Sequence, residues 1–184
     1  MPDTSGHFNR RTSAVFTFRC TRNLLDRIKV EPKPEPVSPQ TVLGDWYAHL
    51  VHVGQVQIVL AVSERTLLPV VLPAREGRSI VQRFIGALEP VLVSVGGPPT
   101  QWSPSSTPCS NGLSASRRVL GSINDLAYQL QFERADFADR SLLEQSLALA
   151  CTPLKLIEYE GPDRATVAAF VAHRVLLAAS SRDH

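Results

Sequence analysis

Arg117 and Arg118 are adjacent, and shortly after them the chain reads Ser122-Ile123-Asn124-Asp125. A guanidinium recognises carboxylate or phosphate through paired hydrogen bonds, and the free N–H groups that open a helix attract the same anions. With Ser122 as N-cap and Asp125 in the favourable first turn, Arg117, Arg118, Ser122, Asn124 and Asp125 would gather around one anion-accepting helix start. The plainer alternative is a capped helix behind solvated arginines. A second polar concentration is Gly44-Asp45-Trp46-Tyr47. Asp45 can cap a turn or act as a general base, and Trp46 and Tyr47 point to opposite faces of a strand, one to the core and the other to solvent or a partner. The expectation is that Asp45, Trp46 and Tyr47 meet the Arg117 to Asp125 junction across one polar pocket.

Other chemistries find less support. His49 and His52 are the only close histidine pair, but an offset of three on a strand sends them to opposite faces, so they cannot share a metal. Cys20, Cys109 and Cys151 are widely spaced, with no C-x-x-C pair, a usage that suits a reducing cytosol. Gly112-Leu113-Ser114-Ala115-Ser116 lacks the closing glycine of a nucleophile elbow. Neither glycine-rich nucleotide fingerprint occurs, and no metal or cofactor is expected.

The elements that must position these residues follow from periodicity. Phe16, Phe18 and Cys20 alternate with Val15, Thr17 and Arg19, which predicts a strand over 13–20 with one buried face. Thr21 is placed to cap a short helix carrying Leu24, Leu25 and Ile28. The alternate prolines of residues 30–39 read as a stiff extended connector, or as a docking peptide. Two β-rich runs flank Gly54-Gln55, a hairpin signal, and Pro69 assigns the next strand to an edge or bulge. Together they predict an antiparallel meander over 45–72.

Ile80, Phe84, Leu88, Val91 and Val95 lie on one helical stripe, with Ser79 and Gln82 as a capping box, and Pro90 should kink that helix rather than end it. Residues 96–112 read as a mobile Pro/Ser-rich loop. A second capping box at Ser141 and Glu144 opens a further helix. The last begins near Pro162 and turns Val167, Phe170, Val171 and Val175 inward. The reading is one α+β domain over 13–178, with an antiparallel sheet of about four strands, four to five helices, and tails at 1–12 and 179–184.

At 184 residues and a formal charge of +2, the chain is long enough for a substantial core and too weakly basic to indicate nucleic acid. No apolar run nears the roughly 20 residues of a membrane span and the N-terminus has no signal-peptide core, so a cytoplasmic location is expected.

The runs Phe18-Arg19-Cys20-Thr21, Leu43-Gly44-Asp45-Trp46-Tyr47-Ala48, Ser63-Glu64-Arg65-Thr66-Leu67, Arg118-Val119-Leu120-Gly121-Ser122-Ile123-Asn124-Asp125-Leu126-Ala127 and Cys151-Thr152-Pro153-Leu154 resemble an uncharacterised bacterial family, a domain of unknown function. The likeness runs from about Phe18 to Phe170. It implies one complete domain and carries no reaction. Two functions fit the residues. One is a non-catalytic binding or regulatory accessory domain of a bacterial cytosolic protein, offering its polar face to a protein partner or small anionic ligand. The other is an enzyme for a phosphate- or carboxylate-bearing substrate, with Arg117 or Arg118 as clamp and Asp45 or Asp125 as base.

Overall fold

The computed structural model describes residues 16–29, 31, 41–75, 80–98, 111–113, 116–132 and 139–180. In chain order these form β1 (Phe18–Cys20), α1 (Arg22–Ile28), β2 (Trp46–Val53), β3 (Val56–Ser63), β4 (Pro69–Pro73), α2 (Ile80–Ser94), β5 (Asn111–Leu113), α3 (Arg117–Phe132), α4 (Leu142–Ala150), a 3₁₀ turn (Lys155–Ile157) and α5 (Pro162–Ser180). The sheet order is β4-β3-β2-β1-β5. The α+β class and the antiparallel β2-β3-β4 meander are as expected, with Val53 and Val56 closing the hairpin around Gly54-Gln55. β1 adds a parallel component, pairing Phe18 with Trp46 on one side and with Asn111 on the other. β5 lies at the end of the stretch that reads as a loop.

Both sheet faces are covered. On one, Phe18, Trp46, Ala48, Val59, Ala61 and Leu72 pack with α1 and α2; on the other, Tyr47, Val51, Ile58, Leu60 and Val62 pack with Val119, Ile123, Leu126 and Leu130 of α3. Strands buried on both faces need no polar alternation, which explains the uninterrupted burial of Ile58 to Ser63. Phe84 of α2 is the centre of an aromatic cluster, 4.7 Å from Trp46, 4.9 Å from Phe18 and 5.9 Å from Phe16 between ring centroids. α4 covers the outer edge of β4, with Leu149 and Ala150 entering opposite cores.

Several local expectations hold. α2 continues through Pro90, α5 starts at Pro162, and Ser141 and Glu144 form both halves of a capping box. Thr21 occupies the N-cap position of α1 without a side-chain cap bond; its hydroxyl lies 3.3 Å from His49 Nδ1 instead. Ser79, the connector 32–40, most of the Pro/Ser-rich loop and both terminal tails lie outside the described residues.

Two expectations are corrected. α3 begins at Arg117, so Ser122 is a buried mid-helix residue and not its cap. Ser116 stands before the first turn, with its hydroxyl accepting from Val119 N–H at 3.5 Å, and Val119 already faces the sheet in step with Ile123 and Leu126. In α5 only Phe170 of the expected stripe is buried, while Val171 and Val175 are exposed. Past Phe170, residues 171–180 are all exposed.

Candidate functional site

The polar site grows from two turns zipped together. Thr41 Oγ1 donates to the Gly44 carbonyl at 2.6 Å and shapes the first turn. Gly44 has φ +77°, and a Cβ there would stand 2.8 Å from Glu64 Oε2, so both conformation and close approach require glycine. The second turn, Glu64 to Thr66, is held against it by Glu64 N–H to the Asp45 carbonyl at 2.8 Å and Arg65 N–H to the Leu43 carbonyl at 3.2 Å.

This arrangement leaves Asp45 at the mouth of β2 with its carboxylate only 1% exposed. Thr17 N–H donates to Oδ1 at 2.8 Å, Arg19 Nε donates to Oδ2 at 2.8 Å, and Arg19 Nη2 is also 2.8 Å from Oδ2. The same guanidinium lies 5.9 Å above the Tyr47 ring. Tyr47 OH donates to Glu64 Oε1 at 3.4 Å, and Glu64 Oε2 accepts from Asp45 N–H at 3.2 Å. The circuit Asp45–Arg19–Tyr47–Glu64–Asp45 thus closes on itself. Burial, reinforced first by the negative charge of Glu64, raises the Tyr47 pKa above 10.0, so the phenol remains a donor.

Glu64 also lines a cavity of about 280 Å³, together with Arg65, Leu67, Ser116, Arg118 and Ile157. A larger open groove of about 840 Å³ adjoins it, sharing Arg65, Leu156 and Ile157 and reaching along α5 to His173. Among the described residues Arg118 has no hydrogen-bond or ion-pair partner, whereas Arg65 donates to the Val42 carbonyl at 3.5 Å. Three non-glycine residues with positive φ border these spaces: Leu67 (58°), Glu158 (56°) and Tyr159 (63°). Such backbone costs energy and persists only where the surroundings enforce it.

The residues expected to form one pocket are therefore distributed. Asp45 and Tyr47 share a network through Glu64, and Arg118 lines the same cavity as Glu64. Trp46 points to the α2 face, where its Nε1 is buried without a partner among the described residues. Arg117, Asn124 and Asp125 are exposed on α3, and Ser122 is buried beneath them. Arg19, Glu64 and Arg65 were missed. Arg19 carried a signal, a charged side chain in the middle of a three-residue strand otherwise made of core residues.

Among the described residues no group of His, Cys, Asp and Glu could hold a metal ion, and no helix is long and apolar enough to cross a membrane. The family model for a domain of unknown function, DUF6933, matches residues 17–165. No curated protein and no solved structure matches the chain.

Proposed function

We propose, for a chain that belongs to the DUF6933 family, a non-catalytic binding role in which a small carboxylate- or phosphate-bearing ligand docks at the start of α3. The observation that carries this reading is the pair of arginines, Arg65 and Arg118, lining a cavity whose one carboxylate among the described residues, Glu64, is already held by Tyr47 OH and Asp45 N–H. The opening turn of a 16-residue helix adds its positive end at the same place. The Asp45 backbone N–H holds Glu64 in place behind the cavity, and Leu67, with its positive φ, lines one wall. An enzymatic role with Asp45 as base gains little from this geometry, since its carboxylate already accepts from Thr17 and Arg19. Asp125 stands exposed on α3.

The test is thermal unfolding in increasing inorganic phosphate or citrate at constant ionic strength. A ligand that binds only the folded chain raises Tm with concentration. The expected rise is lost when Arg65→Gln and Arg118→Gln are combined, with the far-ultraviolet spectrum unchanged. An equal rise in that variant, or no rise with either anion, overturns the reading.

A further inference from the structure

We propose that the outer edge of β2, from Leu50 to His52, is an acceptor site for an extended peptide from a partner protein. In an antiparallel pair, successive residues direct their backbone groups alternately toward and away from the partner strand. The two-residue turn makes Val53 and Val56 a bonded pair, so Tyr47, His49 and Val51 bond to β3. Trp46, Ala48, Leu50 and His52 then turn N–H and C=O to the opposite side. Two bonds on that side fix the phase: Trp46 N–H to the Thr17 carbonyl at 2.9 Å and Thr21 N–H to the Ala48 carbonyl at 3.0 Å.

β1 stops at Cys20, and the chain turns into α1. Gln131 Nε2 donates to the His52 carbonyl at 3.2 Å, but among the described residues nothing pairs with Leu50 N–H, the Leu50 carbonyl or His52 N–H. These groups floor a groove of about 730 Å³, with Asn23, Asp26 and Arg27 of α1 along one lip and Gln131 of α3 along the other.

The opposite border of the sheet shows what a closed edge looks like. Ala74 N–H bonds the Gln57 carbonyl at 3.2 Å and Ser63 N–H bonds the Leu68 carbonyl at 3.1 Å, so positions 69, 71 and 73 of β4 face outward. Two of these are Pro69 and Pro73, which have no N–H to leave unpaired, and Val71 N–H is taken by Ser146 Oγ at 2.9 Å. The fold leaves no outward N–H unpaired on the β4 border and leaves N–H groups of a short stretch of β2 open.

A row of unused backbone donors and acceptors at strand spacing is complemented by another extended backbone, here one continuing the line of β1. The lips choose its side chains. They are polar and carry both signs: Arg27 Nε already donates to Gln57 Oε1, while Asp26 has no partner among the described residues, which favours a peptide with Lys or Arg opposite Asp26.

The experiment selects peptides from a random display library on the full chain and synthesises the strongest binder. Amide exchange should show Leu50 and His52 fast in the free chain, slow in the complex, with His49 and Val51 slow in both. His52→Pro deletes an outward N–H, as Pro69 and Pro73 do, and should weaken binding about tenfold or more while melting cooperatively; His52→Ala, which keeps the N–H, should bind within about threefold of the parent chain. Slow Leu50 and His52 amides in the free chain, equal binding by His52→Pro and His52→Ala, or failure of the library to yield a peptide that protects Leu50 would each overturn the proposal.

Discussion

Arg19 and Asp45 are joined through two guanidinium nitrogens, Nε and Nη2, both 2.8 Å from the same carboxylate oxygen. The pair ties β1 to the mouth of β2 where the side chains are 18% and 1% exposed. Removing one member of a largely desolvated ion pair strands the other. Asp45→Asn should therefore cost about 3 kcal/mol, read as a lower urea midpoint at unchanged slope. A loss no larger than that of an exposed pair would show that water replaces the carboxylate.

Ser146 links α4 to the border strand, accepting from Val71 N–H at 2.9 Å and donating to the Leu142 carbonyl at 2.7 Å. Alanine at 146 leaves the Val71 N–H buried and unpaired. The expected loss is about 1–3 kcal/mol, together with faster exchange of the Val71 amide.

Gly121 lies inside α3 with ordinary helical backbone, and a Cβ there would meet nothing within 4 Å. Its sequence context reads as a junction, yet its place is an exposed helical turn. Gly121→Ala should stabilise the chain by about 0.5–1 kcal/mol. Destabilisation would mean that the residue serves something other than the helix.

His49 is half-buried, and this burial, followed by the nearby charge of His52, lowers its pKa below 6.5. As pH falls through 6.5, the unfolded chain takes up a proton that the folded chain resists, so stability falls there and is untouched by His49 above it. Comparison of urea midpoints with His49→Gln should show a steeper acid loss in the parent chain, by at most about 1.4 kcal/mol per pH unit. Parallel profiles would refute this assignment.

Where one physical signal dominated, the sequence was readable. Gly54-Gln55 can serve only a tight turn, Pro69 has no N–H for an inner ladder, and the Ser141–Glu144 box is satisfied by neighbours within one turn. The start of α3 was misread because Ser122 and Asp125 imitate a cap, while the periodicity of Val119 and Ile123 already belonged to the helix. Trp46 and Tyr47 were correctly assigned to opposite faces, but both are buried because helices cover the sheet on each side, a fact no strand pattern contains. The candidate site was legible in Asp45, Tyr47 and Arg118. Arg19 and Glu64 join it through pairings between distant segments, Thr17 with Asp45 and Asp45 with Glu64, which local patterning does not encode.

The register of β1 sets an order of assembly. β2, β3 and β4 follow one another along the polypeptide and can zip by short loop closures, whereas Phe18 must find both Trp46 and Asn111. The second of these encounters waits until most of the chain has left the ribosome, and the entropy of bringing such remote segments together makes it the slow step. Pulse-labelled exchange during refolding should find the amides of Val51 and Leu60 protected before that of Cys20, so the newborn molecule passes through a stage in which its meander exists and its central parallel seam does not.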